Sequence, residues 1–315
     1  MSEANVDRPS ASESGDDGAR GRSPREEQSE ARTSLTMTTA GPIAEAIANG
    51  DMPGRVWLYS NYHCNLACSY CLTESSPRSP RRQLTPETMI SVAQQAAELG
   101  FTGLGVTGGE PFLLPWLPET IREMATHLPL ILLTNGTLFH GARIERAAVL
   151  ANSDVALQIS LDSHLPDVND EARGPDNFDK VIEAVPRLID LGIRVRIATT
   201  TSGPLDDPSL EPLKDLVRGM GVADDDHLVR PIVMRGRADE LGIGVVAAAQ
   251  DIPSELTITA DGAYWGSFGP TIRSGRLDTD LLLSRTVLPL SIPANALLNA
   301  LQGMPPGSDA RLGIR

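Results

Sequence analysis

From about residue 55 to residue 232 the chain repeats one pattern, and that pattern limits its fold more than any other feature. Short aliphatic and β-branched runs fall at 56–59, 103–107, 130–134, 155–161, 195–200 and 227–232. Stretches of helical periodicity separate them, at 86–99, 117–127, 142–151, 178–191 and 210–220. Apolar strands alternating with helices read as βα units around a parallel sheet. Periodicity alone fits a doubly wound open sheet and a partial barrel equally well. Both build their sites at the carboxyl ends of the strands.

Composition narrows the range of functions. The 315 residues suit one large domain, or a domain with an appendage. Hydrophobic residues make up 41%, enough for a sizeable core, and the first forty residues add little to it. With 41 acidic against 27 basic residues the formal charge is −14. That excludes bulk electrostatic binding to nucleic acid or to an anionic membrane, while leaving room for a local basic pocket. The most apolar stretch, 281–298, is broken by Arg285, Pro289 and Pro293, so no transmembrane helix is expected. No secretory signal pattern opens the chain, and a cytoplasmic location is expected.

The ends differ from the middle. Residues 1–36 are rich in Ser, Glu, Asp, Arg and Gly, and read as a disordered tail with Met37 as an alternative start. Residues 37–54 form a lead-in. The βα rhythm stops near residue 238, and 238–253 reads as a connector. Residues 255–265 alternate and meet Asp261-Gly262, a hairpin turn signal. A short helix is expected over 277–288, and a mobile tail over 303–315.

The chain has only three cysteines, Cys64, Cys68 and Cys71, directly after the first expected strand. Clustered cysteines in an otherwise cysteine-free chain point to a reducing compartment and a metal or redox site. Three thiolates at this spacing can hold three irons of a [4Fe–4S] cube and leave the fourth open. With His63 they can also make a structural zinc site. Other residues at strand ends have plain readings when taken singly. Gly108-Gly109 suits a tight turn, Asn135 a turn, Asp162 a helix cap and Arg173 a surface charge.

Taken together, these residues resemble the radical S-adenosylmethionine (SAM) superfamily. Cys64-x-x-x-Cys68-x-Tyr70-Cys71 is similar to its CxxxCxΦC signature. Thr107-Gly108-Gly109-Glu110-Pro111 resembles its GGE motif, Thr134-Asn135-Gly136 its TNG, Ser160-Leu161-Asp162 with Arg173-Gly174 its SLD…RG, and Gly236-Arg237-Ala238 its GRA. The ordered match covers about 55–238. It implies an α/β fold, a partial (β/α)6 TIM-like barrel, carrying a small C-terminal hairpin and helix extension.

The resemblance also implies roles. Cys64, Cys68 and Cys71 would ligate the [4Fe–4S] cluster, and SAM would chelate the open iron. Gly108 and Gly109 would let the backbone approach the methionyl part, with Glu110 near its ammonium. Ser160 and Asp162 would bond the ribose hydroxyls, Arg173 the methionine carboxylate. Asn135 would line the ribose or substrate space, and Tyr70 and the backbone of 233–236 the adenine. The family's chemistry is reductive cleavage of SAM to a 5′-deoxyadenosyl radical that abstracts hydrogen, under an oxidoreductase or lyase heading. It needs an external one-electron donor of flavodoxin or ferredoxin type.

The later residues resemble a SPASM or twitch extension that has lost its cysteines. Asp261-Gly262-Ala263-Tyr264-Trp265-Gly266-Ser267 is similar to its opening, with Ser267 where a cluster cysteine would stand. Ser274-Gly275-Arg276-Leu277 resembles a later segment of it. The extension, 239–302, is expected to cover the barrel mouth, where Tyr264 and Trp265 either pack the hairpin or contact substrate. No folded segment of peptide-recognition size is seen before Arg55, so the expected substrate is a small polar metabolite of nucleoside or sugar type. Modification of a ribosomally made peptide is the alternative. A non-catalytic SAM or iron–sulfur binding protein and a zinc-stabilised α/β domain are the other classes.

Overall fold

A computed structural model describes residues 41–246, 253–273, 276–279 and 281–303. The tail expected over 1–36, the Ser274-Gly275 pair and nearly all of the tail expected over 303–315 lie outside them.

Six strands form the parallel body: β1 (Arg55–Tyr59), β2 (Gly103–Thr107), β3 (Leu130–Thr134), β4 (Val155–Ser160), β5 (Arg194–Thr201) and β6 (His227–Pro231). They pair in sequence order, each parallel to the next. Every expected strand is present within a residue or two, because buried parallel strands announce themselves as apolar runs.

The helices supply the opposite wall. A first helix, α1 (Pro42–Ala48), lies in the lead-in. Next come α2 (Pro86–Glu98), α3 (Leu117–Met124), α4 (Pro166–Arg173), α5 (Asn177–Asp190) and α6 (Glu211–Gly219). In α2 the Thr85 hydroxyl accepts from the Thr88 N–H, and Pro86 takes a first-turn position where no N–H is needed. One expected helix differs. Residues Gly141–Leu150 form a run of 3₁₀ turns, not an α-helix. Its buried residues Ile144, Ala147 and Leu150 recur every three positions, the period at which 3₁₀ side chains eclipse.

The C-terminal residues depart furthest from expectation. The connector contains a short helix, α7 (Arg237–Leu241). The hairpin forms as β7 (Leu256–Thr259) and β8 (Gly262–Trp265), with Thr259 paired to Gly262, so its turn is Ala260-Asp261 and not Asp261-Gly262. Strand β7 runs parallel to β1, which makes the hairpin part of the main sheet. With a last strand β11 (Leu282–Ser284) at the edge, the order is β11-β8-β7-β1-β2-β3-β4-β5-β6.

The helix expected over 277–288 is absent. That stretch carries β10 (Arg276–Leu277), paired with β9 (Ile272–Arg273), and β11 (Leu282–Ser284), which closes the edge beside β8. The helix comes later, as α8 (Ser291–Gln302). Pro293 falls in its first turn, where proline is tolerated, and Ala294, Leu297 and Leu298 bury one face.

One core lies between the sheet and the helices, from Ile43 through Leu58, Leu132 and Val185 to Leu297. Tyr264 and Trp265, 0% and 3% exposed, belong to it. Trp265 pairs with Leu256 at the start of β7, so it sits at the amino-terminal edge of the sheet, away from the cysteines. These two aromatics pack the hairpin; the substrate-contact reading is not supported. No helix among the described residues is long and apolar enough to cross a membrane.

Candidate active site

The carboxyl ends of β1 to β6 carry the residues singled out above. The Cys64–Cys71 loop leaves β1, and its backbone is held from three directions. Cys64 N–H donates to Ser76 O (3.2 Å), and Ser69 N–H to Ala172 O at the end of α4 (2.9 Å). The third hold is Arg237. Its Nε donates to Cys68 O and its Nη2 to Ser75 O, both at 2.7 Å, while its N–H reaches Cys71 O at 3.1 Å. Gly236 before it has φ 61°, and a Cβ there would lie 2.4 Å from Cys71 O. The Gly236-Arg237 pair therefore clamps the cysteine loop, a role sequence reasoning missed when it placed this backbone near adenine.

Gly108 and Gly109 answer to a second close approach. A Cβ on Gly108 would lie 2.5 Å from Asn61 O, and one on Gly109 2.3 Å from His63 O. Gly109 N–H donates to Asn61 O and Glu110 N–H to His63 O. The glycines let the end of β2 zip against the chain entering the cysteine loop. Asn61, fully engaged through Nδ2 to His63 O and Glu110 O, joins the same seam.

Glu110 is 0% exposed. Its Oε1 accepts from Phe112 N–H and the Thr134 hydroxyl, its Oε2 from Asn135 N–H. Burial pushes its pKa up to about 7 against the pull of these three donors. Asn135 bridges onward. Its Nδ2 donates to Asn65 Oδ1 at 3.0 Å and lies 3.8 Å from Cys64 Sγ. Asn177 donates to Asn135 O and accepts from Asn169, whose Oδ1 takes the Asp162 N–H. Both asparagines are fully buried, and this chain ties the end of β3 to the end of β4. Helix α4 carries Asn169. Its Pro at the first turn and Gly174 at its end were the signal that would have revealed it.

Asp162 is committed to protein partners. Arg173 Nε and Nη2 donate to its two oxygens at 2.7 and 3.3 Å, Thr200 N–H adds 2.9 Å, and the Tyr70 hydroxyl also donates to it. Arg173 is 6% exposed and stands 5.5 Å from the Tyr70 ring centroid. Burial alone would lower the guanidinium's pKa; the Asp162 carboxylate beside it reverses that and raises it. Burial likewise raises the Tyr70 phenol well above its ordinary range. Arg173 and Asp162 thus neutralise one another, and Ser160 stands half-buried at the last position of β4.

Burial pushes Cys64 up to about 12, with the Glu110 carboxylate adding to it, and raises Cys68 while Arg173 opposes. Three soft donors at this spacing suit an iron–sulfur cluster, whose irons supply the positive charge that thiolates need. Among the described residues no group of three or more His, Cys, Asp or Glu side chains is placed to hold a single metal ion. A cube engages each thiolate through a different iron, so its ligands need not converge on one point.

The fold and site together define an α/β protein with three cysteines gathered at the carboxyl edge of an open parallel sheet. Residues 58–218 match the family model described as "Radical SAM superfamily", and the chain belongs to that superfamily. Its cofactors are a [4Fe–4S] cluster and SAM.

Among curated proteins, the mycofactocin maturase MftC of Mycobacterium ulcerans is 33% identical over 180 residues, covering 54% of this chain and 48% of that protein. The AdoMet-dependent heme synthase of Oleidesulfovibrio alaskensis is 31% identical over 193 residues, 59% and 47%. The chain spans about half the length of the curated relatives it matches. A solved structure of anSMEcpe with bound AdoMet and the Cp18Cys peptide aligns over 80% of this chain and 84% of that one, with a TM-score of 0.54 and 13% identity, a likeness of fold.

Proposed function

We propose that this protein is a radical SAM enzyme that abstracts hydrogen from an organic substrate. The observation that carries the reading is the clamped loop of three cysteines beside buried Glu110 at the strand ends. When bound, the cluster supplies one electron that splits SAM into methionine and a 5′-deoxyadenosyl radical, which takes a hydrogen atom from substrate.

The chain's own residues would bind and orient. Cys64, Cys68 and Cys71 would hold the cluster, with Arg237 keeping their loop in place. Glu110, ionised beside SAM's ammonium, would hold the methionyl end. Gly108 and Gly109 act through packing. Asn135 and Ser160 border the space for ribose or substrate. Asp162, Arg173 and Tyr70 form one neutral buried unit that supports the wall and leaves SAM's carboxylate to other groups. We further propose that 55–238 forms the core. Residues 239–302 would be its cysteine-free extension, whose Thr271 hydroxyl donates to Leu72 O at 2.8 Å, just past the third cysteine.

For the substrate we favour a precursor peptide, on the similarity to a maturase over half of the chain. A small polar metabolite is the second reading, favoured by Gln158, Ser160 and Thr200, which line one face of β4 and β5.

The test is anaerobic reconstitution with iron and sulfide, then SAM and dithionite. About four irons per chain and release of 5′-deoxyadenosine are expected, and Cys68→Ala should lose both. Zinc in place of iron, or a cluster that never cleaves SAM, would hand the site to the binding-protein reading.

A further inference from the structure

The inner wall of the half barrel holds a cation that the site above does not use. Residues on one rung of a parallel ladder point to the same face, and successive residues alternate. Val195 and Ile197 of β5 face the helix-packed core. His227 and Val229 share the rungs of Ile197 and Thr199. Leu228 and Arg230, on the rungs of Ala198 and Thr200, therefore turn to the opposite, inner face. Arg230 lies one residue from the carboxyl end of β6, level with Thr200, whose N–H is bonded to Asp162.

The Arg230 side chain is open to solvent, yet protein surrounds it closely enough for burial to lower its pKa. Arg173 adds to that lowering, while Tyr70, Asp162 and Tyr59 oppose it. A charge in that position stands on the inner face of the sheet, at the strand ends that carry the candidate site. Among the described residues no carboxylate lies within ion-pair distance of it; Asp162, the acid nearest in this group, is taken up by Arg173, Tyr70 and Thr200. An unpaired guanidinium on that face, with Arg173 acting against its charge, gains nothing for the fold. It gains from an incoming anion.

The chemistry of that anion follows from the surroundings. One unpaired guanidinium presents a planar fork that matches one carboxylate. A phosphate dianion calls for more positive charge, and Arg173 is already neutralised. Leu228, 40% exposed and two residues deeper on the same face, offers apolar surface next to the charge.

We propose that Arg230 is a specificity-determining residue that receives a carboxylate of the substrate, with Leu228 receiving the apolar group beside it. The proposal rests on the radical SAM reading of this site. SAM carries a carboxylate too, so the test separates the two sources.

Cluster-loaded, SAM-bound protein would be titrated anaerobically with N-acetyl-leucine and with N-acetyl-leucinamide, and binding followed by saturation-transfer NMR. SAM affinity would be measured separately by equilibrium dialysis. The acid should bind the wild type at least about tenfold more tightly than the amide, and Arg230→Gln should lose about that factor for the acid. Arg230→Lys, which keeps the charge without the fork, should fall between. Equal binding of the acid by wild type and Arg230→Gln, or no binding by either, overturns the proposal. So does a loss of SAM affinity with acid binding unchanged, which assigns Arg230 to the cofactor. Failure of the radical SAM reading shows itself elsewhere, as wild-type protein without iron or without deoxyadenosine.

Discussion

Arg237 shows how much one side chain contributes to the cysteine loop. It crosses from α7 to carbonyls on both sides of Cys71, so its guanidinium holds the loop before any metal arrives. Arg237→Ala removes two charge-assisted bonds to half-buried carbonyls, at about 1.5–3 kcal/mol each. Reconstituted Arg237→Ala should retain less than half of the wild-type iron after desalting, with α/β circular dichroism preserved. Arg237→Lys should recover only part, since one ammonium cannot span both carbonyls. Glu110 yields a pH dependence. Its folded pKa, about 7, lies above the 4.5 of an unfolded glutamate. Between those values the native state binds the extra proton, so stability is fully present below about pH 4.5 and falls as pH rises through 7. The loss approaches about 3 kcal/mol in cluster-free protein. Urea midpoints from pH 5 to 8 should show that slope, and Glu110→Gln should lack it whatever its absolute cost.

Elements meet the site through backbone contacts at strand ends. The seam between the end of β2 and residues 61–63 leaves no room for a Cβ on Gly109, and the obstacle is backbone, which cannot rotate aside. Gly109→Ala should therefore cost about 3 kcal/mol or more, read as a lowered urea midpoint, even though no ligand touches the new methyl. Helix α8 makes the complementary case far from the site. Leu297 is fully buried in the common core, and Leu297→Ala should cost about 2–5 kcal/mol with the transition still single. At this scale legibility tracked burial. Strands β1 to β6 and helices α2, α3, α5 and α6 were plain because their apolar spacing follows the period of the element. Helix α4 was hidden, because its residues Pro166–Arg173 are mostly polar and only Asn169 and Arg173 are buried.

At the scale of the molecule, the C-terminal residues do more than append to the barrel. Strand β7 covers the edge of β1, and Leu256, Ile258, Ala263 and Leu297 share the core of the parallel strands. A chain truncated after residue 246 exposes that edge and the apolar face beneath it. It should accumulate as insoluble protein, whereas the full chain should unfold in one transition; a soluble, cooperatively folding truncation would show the two parts to be independent. The βα rhythm, the order of the strand-end motifs and the cluster of three cysteines are legible along the chain, because period, glycine and cysteine are local signals. What those residues touch was set by the folding of distant segments together. It paired Asp162 with Arg173, set Gly108 and Gly109 against the backbone of 61–63, brought Arg237 across to Cys68 and left Arg230 alone on the inner wall. Each of these depends on residues far apart in the chain meeting at one sheet edge, and neither spacing nor composition encodes which partner a buried charge will find.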